Sequence, residues 1–286
     1  MSGGERAWSG ESSRGARDSS GHTVLEVALV LALFSVVLVS VHLALISQHR
    51  FYALNAQLAN TRDAARIAAE VLTGELRGAS PAAGDLYAVS ADSVALRSTR
   101  GIGVICGASG NTIDVWRLTG TLGDSGSDSV LIFLENSPDS SFDDAWTAAA
   151  VQRVRSGGAG SCPNGRPPEV RLDLDRPVTG FVVGSPVRAF RPYVYRLYLA
   201  GDGRWWLGQR LRYGRIQPVV GPFAAPGEGG LILDFLGSGG VPTADPAQVV
   251  EVLISIRSQS ASPLPWVGGA GFLTDSLQTA VYLRNS

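Results

Sequence analysis

The chain has 286 residues, 45% of them hydrophobic, with 24 basic against 25 acidic residues and a formal charge of −1. That length supports one large or two small domains with a real core, and the charge balance argues against bulk electrostatic binding of nucleic acid. Every basic residue is arginine, which excludes Schiff-base lysines and a lysine-bearing phosphate loop. The histidines are His22, His42 and His49, so the chain beyond residue 50 has no imidazole for Ser-His-Asp or Cys-His catalysis or for His-ligated zinc.

Residues 1–21 are polar and rich in Gly and Ser, a composition that predicts disorder. Residues 24–46 then read VLEVALVLALFSVVLVSVHLALI, about 23 residues or roughly 35 Å of helix, enough to cross a bilayer. A cleaved secretory signal has a shorter apolar region of about 7–15 residues followed by a small-x-small site. No such site follows residue 46, so the run predicts a retained anchor. The helix is expected to continue through residues 47–77, which contain no proline and one glycine, Gly74. Phe51, Leu54, Leu58, Ala65, Ala68, Leu72 and Leu76 form one apolar stripe, and Asp63/Arg66 and Arg66/Glu70 are helix-compatible charge pairs. Gly78 and Pro81 end this predicted helix, which covers residues 22–77.

From residue 82 the pattern changes to strands. Residues 112–118, 129–135 and 231–236 read as short strands. Tyr193, Tyr195, Leu197 and Leu199 alternate with Val194, Arg196 and Tyr198, and a Gly201-Asp202-Gly203 turn leads into residues 204–211, a hairpin signature. In residues 248–257 Val250, Val252, Ile254 and Ile256 share one face, and residues 279–284 are placed to close the sheet. Residues 156–168 and 219–230 read as long loops. The expected fold class is α+β, a long N-terminal helix followed by an antiparallel β-rich head.

Glu26 is the informative residue. A carboxylate inside a membrane-length segment costs about 2.5–3.5 kcal/mol at the helix centre and less near its end. One reading makes it an N-terminal helix acid placed where the dipole favours it. The other starts from Gly21, which stands five residues before Glu26 at the boundary between polar leader and apolar span. This pattern resembles the type IV prepilin processing signature, and the membrane-to-stalk helix and β-rich head are similar to the pilin architecture. The tail LQTAVYLRN and the hairpin over residues 191–211 resemble the J-type minor pseudopilins of type II secretion and the W-type minor pilins.

The resemblance implies a leader over 1–21, a transmembrane and stalk helix over 22–78, and a periplasmic head over 79–286. Gly21 becomes the last leader residue, read by a prepilin peptidase, and His22 the methylated mature N-terminus. Glu26 then meets the freed amine of a neighbouring subunit, offsetting the burial of either charge. Implied partners are other minor and major pilins or pseudopilins, reached through the N-terminal helix, and the inner-membrane assembly platform. The role is that of a minor subunit at or near the tip of a type IV pilus or type II pseudopilus, in initiation of assembly and without enzymatic activity. His22 departs from the family, which usually has a large apolar residue there, and no proline kinks the helix. The alternatives are an uncleaved anchored adhesin or scaffold and a membrane-anchored hydrolase using paired carboxylates.

Cys106 and Cys162 lie beyond the span, on the side expected to be oxidising, and permit one disulfide; the alternative is a core thiol and a free loop thiol. Glu135, Asp139, Asp143 and Asp144 could offer oxygens to Ca²⁺, but their spacing matches no EF-hand, and a solvated loop without a metal or other cofactor is the expected reading. Residues 101–110, GIGVICGASG, evoke a phosphate loop, yet no helix start follows them, so nucleotide binding is not expected. Trp205 and Trp206 with Tyr193, Tyr195 and Tyr198 read as sheet packing. Nearby Arg196, Arg204, Arg210, Arg212 and Arg215 could contact DNA only against the lack of net positive charge.

Overall fold

The computed structural model describes residues 23–135, 139, 142, 144–211, 214–264 and 271–284. The chain divides into two units, Met1–Ala53 and Leu54–Ser286. The described part of the first unit is helix: α1 runs Val24–Arg77, as the apolar stripe and the stop at Gly78 predict. Its large apolar side chains between Val24 and Leu45 are exposed. This segment is long and apolar enough to cross a membrane, consistent with a single-pass anchor. The hydroxyls of Ser35 and Ser40 donate to the carbonyls of Ala32 and Val36, both at 2.8 Å, so these polar groups are satisfied within the helix itself.

In the second unit, α1 buries Ala65, Ala68, Leu72 and Leu76, the stripe read from the sequence. Phe51, assigned to the same stripe, is exposed. The strands are β1 (Leu86–Ser90), β2 (Ser93–Ser109), β3 (Thr112–Gly120), β4 (Ser129–Leu134), β5 (Ala145–Ser156) and β6 (Val170–Leu174). They continue with β7 (Pro186–Leu199), β8 (Trp205–Leu211), β9 (Ile216–Phe223), β10 (Leu231–Leu236), β11 (Glu251–Gln259) and β12 (Thr274–Tyr282). All pairings are antiparallel. The fold is thus α+β, with one long apolar N-terminal helix and a β-rich globular head, consistent with a generic pilin-like architecture.

Two cores share two strands. Following the pairings β2–β3–β6–β5–β4–β7 returns to β2, which closes a six-stranded barrel. Ile105, Ile113, Val130, Ile132, Leu172 and Val187 fill it. The other core lies under α1, where Leu72 and Leu76 meet Val94, Leu96, Tyr195 and Ile254. Burying each of those leucines contributes about 1.5–3 kcal/mol. Both β2 and β7 serve the two cores: Leu96 and Tyr195 face α1, whereas Ile105 and Val187 face the barrel lumen. The β2–β7 register shifts between Thr99 and Gly101, where β2 passes from one core to the other.

The glycine-rich segment 101–110 belongs to β2 through Ser109. Two of its glycines permit close approach, since a Cβ on Gly101 would sit 2.6 Å from the Thr121 carbonyl oxygen and one on Gly103 2.6 Å from Val115 Cγ1. One sequence reading is corrected here: residues 219–230 are not one long loop. Val219 to Phe223 complete β9, which pairs with β8 through two register shifts, and a 3₁₀ turn at Pro226–Glu228 leads to β10. Pro218 and Pro222 made this strand read as a loop, because proline cannot donate to a ladder. By contrast, the hairpin of β7 and β8 has the predicted position, with Tyr193 opposite Leu211 and Leu199 opposite Trp205.

Candidate functional site

Of the three residues at the expected processing and assembly site, Gly21 and His22 lie outside the described residues. Glu26 stands in the first turn of α1. Its backbone N–H donates to the carbonyl of Thr23 at 2.9 Å and to Thr23 Oγ1 at 3.3 Å. Thr23 therefore caps the helix, and Glu26 holds its third position, the Thr-x-x-Glu spacing that a capping box uses. Thr23 was not singled out from the sequence, although the Thr23–Glu26 spacing just ahead of an apolar run is the signal that could have found it. Glu26 is the one acid in residues 24–46. Its place at the positive end of the helix dipole lowers the cost of carrying the charge there, whatever it meets in an assembly.

Cys106 on β2 and Cys162 in the β5–β6 connection form a disulfide, both residues being buried. Ile113 and Val115 of β3 face the barrel lumen, so Asp114 between them faces outward, where it meets Ala159 of the connection, which is thus strapped across the outside of β3. A second fastening lies beside it. Asp114 of β3 accepts a bidentate pair from Arg171 of β6, at 2.7 and 2.9 Å, and a further bond from the Ala159 N–H at 3.2 Å. The hydrogen bonds and charge of Asp114 raise the pKa of Arg171. A Cβ on Gly158 would stand 2.5 Å from Asp114 Oδ1, so a glycine is needed where the strap crosses.

Sequence reasoning also missed the ion pairs that Arg191 and Arg188 of β7 make. Arg191 of β7 bonds to the buried carboxylate of Asp128 and reaches Asp124 at 3.1 Å. Asp128 holds the guanidinium well above its usual pKa. Asp85 is fully buried and accepts from Arg188 of β7 and from the Ser80 N–H, 2.9 Å away, which closes the turn that follows α1. Nothing in local periodicity marks these acids, because their partners lie 57 to 103 residues away.

Of the acidic stretch, Asp143 lies outside the described residues, and Glu135 and Asp144 stand at the β4 and β5 ends. Among the described residues no group of three or more His, Cys, Asp or Glu side chains gathers as a metal site. The aromatic hairpin packs into the sheet: Tyr195 is buried against α1, and Trp205 lies at the edge of the same core. Gln209 Nε2 donates to the Tyr195 hydroxyl at 2.6 Å. Burial, then the nearby Glu75 carboxylate, raises the pKa of Tyr195. No protein-family model, curated protein or solved structure matches this chain.

Proposed function

We propose that the protein is a minor pilin-like or pseudopilin-like subunit, cleaved after Gly21 by a prepilin peptidase and assembled through α1 into a type IV pilus or type II secretion pseudopilus, at or near its tip. The observation that carries this reading is one unbroken helix whose capped start bears Glu26, whose next turns expose an apolar surface, and whose last turns are built into the head. The exposed run has two uses in sequence, lipid before assembly and neighbouring helices after it.

In this scheme His22, freed and methylated, presents its amine to Glu26 of the adjacent subunit. The pair satisfies two charges that would each be costly alone, and it sets the stagger between subunits. The head acts as a structural and recognition element, not as a catalyst. Its size relative to the helix suits a subunit present in few copies, which primes assembly with other minor subunits on the inner-membrane platform.

Co-expression of the full chain with a prepilin peptidase tests this, with the N-terminus read by mass spectrometry. Loss of residues 1–21 and a methylated His22 are expected. Glu26→Leu should still be trimmed and should fail to enter filaments. An N-terminus that stays intact beside an active peptidase leaves the uncleaved anchored adhesin or scaffold as the better reading.

A further inference from the structure

The sheet formed by β2, β7 and β8 has two faces, and one of them packs under α1. Leu96 of β2, Tyr195 and Leu197 of β7 and Leu207 of β8 belong to that core. Residues directly opposite one another in an antiparallel pair share a face, and neighbours along a strand alternate. The pairs Arg97–Pro192, Val194–Arg210, Arg196–Gly208 and Tyr198–Trp206 therefore lie together on the other face. Arg196 is exposed there, and Arg97, Val194, Tyr198, Trp206 and Arg210 are partly exposed.

The charge on this face has one sign. Arg97, Arg196 and Arg210 come from three different strands, and none pairs with a carboxylate among the described residues. Arg97 lies over the Phe190 ring, 5.1 Å from its centroid, and reaches the Ala83 carbonyl at 3.4 Å. Arg210 Nε is buried and has no acceptor, a desolvated donor that an anion laid on the face would satisfy. Asp92 and Asp202 stand in turns at one end of the face, and both carboxylates are engaged. Ser90 Oγ bonds to Asp92, and the Arg204 N–H and Trp206 Nε1 bond to Asp202.

Spacing and shape narrow the ligand. Rows two residues apart along a strand are separated by about 6.6 Å. Arg97, Arg210 and Arg196 occupy three successive rows, and Tyr198 with Trp206 the fourth. That step is about twice the 3.4 Å rise of a stacked nucleic-acid strand, as an extended and unstacked one requires. Each ring lies across a glycine of the next strand. A Cβ on Gly208 would stand 2.6 Å from Tyr198 Cδ1, and one on Gly221 3.0 Å from Trp206 Cδ2 and Cε3.

We propose that this face binds single-stranded nucleic acid, with phosphates on Arg97, Arg210 and Arg196 and bases stacked on Tyr198 and Trp206. An extended acidic peptide matches the charges at the same step but not the face. Its own N–H and C=O groups would meet none from the sheet, whose backbone groups lie in the plane of the ladder. A duplex keeps its bases stacked on one another and offers the rings nothing to stack on. The formal charge of −1 does not oppose this, because it sums the whole chain whereas the arginines are gathered on one face.

The test uses the full chain in nanodiscs of zwitterionic lipid, with fluorescence anisotropy of a labelled oligothymidylate. Binding should weaken with salt, and three phosphate contacts at about −0.7 each give a log–log slope of about −2. Arg196→Gln should weaken binding and flatten the slope by about 0.7. Arg196 is exposed and makes no bond to another described side chain, so this variant tests the face without disturbing the fold. Tyr198→Leu should lower affinity about fivefold or more, and Tyr198→Phe should keep it. Arg166→Gln, on the exposed β5–β6 connection, should leave affinity and slope as they were. A dissociation constant above about 10⁻⁴ M at low salt overturns the proposal. So does equal competition by polyglutamate or by duplex DNA, an Arg196→Gln variant that binds like the parent, or a Tyr198→Leu variant that binds like Tyr198→Phe. None of these outcomes bears on leader removal or filament entry, whose failure would tell against the proposed function alone.

Discussion

Asp85 and Arg188 form an ion pair in which the carboxylate is wholly buried and the guanidinium is 19% exposed. Asp85 closes the turn that ends α1, whereas Arg188 lies on β7 where that strand enters the barrel. One contact thus ties the helix terminus to the strand shared by both cores. Arg188 Nε has no hydrogen-bond partner among the described residues, so the aspartate alone compensates a mostly buried cation. Removing one member of such a pair leaves the other charge stranded. Asp85→Ala should cost about 3–5 kcal/mol, read as a lowered urea midpoint of the full chain in detergent, followed by tryptophan fluorescence. A loss below about 1 kcal/mol, the range of an exposed pair, would contradict the burial of this contact.

The disulfide makes a second prediction. Cys106 and Cys162 are 56 residues apart in sequence, and closing a loop of that length restricts the unfolded chain by about 4 kcal/mol in the chain-entropy account. Cys106→Ser with Cys162→Ser should lower stability by up to that amount. The strap should then exchange its backbone amides faster, starting with Cys162 and Gly165, which bond only within the connection. The Ala159 amide, held by Asp114, should stay the more protected.

Stability should fall at both ends of the pH scale, for separate reasons. Burial and the Glu75 carboxylate keep the Tyr195 phenol protonated in the folded protein beyond its ordinary value of 10.0. The folded state then holds more protons than the unfolded state, so this contribution is complete below pH 10 and is lost as the pH rises past it. Tyr195→Phe should flatten the alkaline limb of a stability–pH curve. At the acid end, Asp173 and Asp175 titrate below their ordinary 3.8, held down chiefly by hydrogen bonds from Arg155 and Arg176. Their contribution is present above that value and lost as the pH falls through the lowered range. Asp173→Asn should soften the acid limb and leave the alkaline one unchanged.

Two glycines should respond oppositely to alanine. Gly74 lies inside α1 with open space where a Cβ would go, so Gly74→Ala should raise stability by about 0.8–1.0 kcal/mol. Gly120 has φ +68°, and its Cβ would collide with the Arg100 carbonyl oxygen across the β2–β3 pair. Gly120→Ala should destabilise by more than Gly74→Ala stabilises, because strain and backbone displacement add. Thermal unfolding of the two variants beside the parent protein gives both signs in one experiment.

The helix was readable from the sequence because its signals are local: apolar residues three and four apart, Gly78 and Pro81 at its end, and a charge pattern that suits i,i+3 and i,i+4 neighbours. The β7–β8 hairpin was readable for the same reason, since a Gly-Asp-Gly turn and period-two alternation lie within 20 residues. Glu26 stood out as a charge set in an apolar run, and the Thr23 spacing that signals a cap was equally local, although the bond itself is a matter of the geometry of the first turn.

Tertiary structure alone decided the barrel, the sharing of β2 and β7 between two cores, and the buried Asp85, Asp114 and Asp128 pairs. Each depends on groups far apart in the chain. β2 reaches β7 across about 90 residues, and such pairing is chosen by which burial and hydrogen bonding the whole chain can satisfy together, not by any one segment's preference. Gly101 and Gly103 are the clearest case. In the sequence they belong to a glycine-rich run with no evident use; in the barrel a Cβ on Gly101 would stand 2.6 Å from the Thr121 carbonyl oxygen and one on Gly103 2.8 Å from that of Trp116, where facing backbone leaves no room for a side chain.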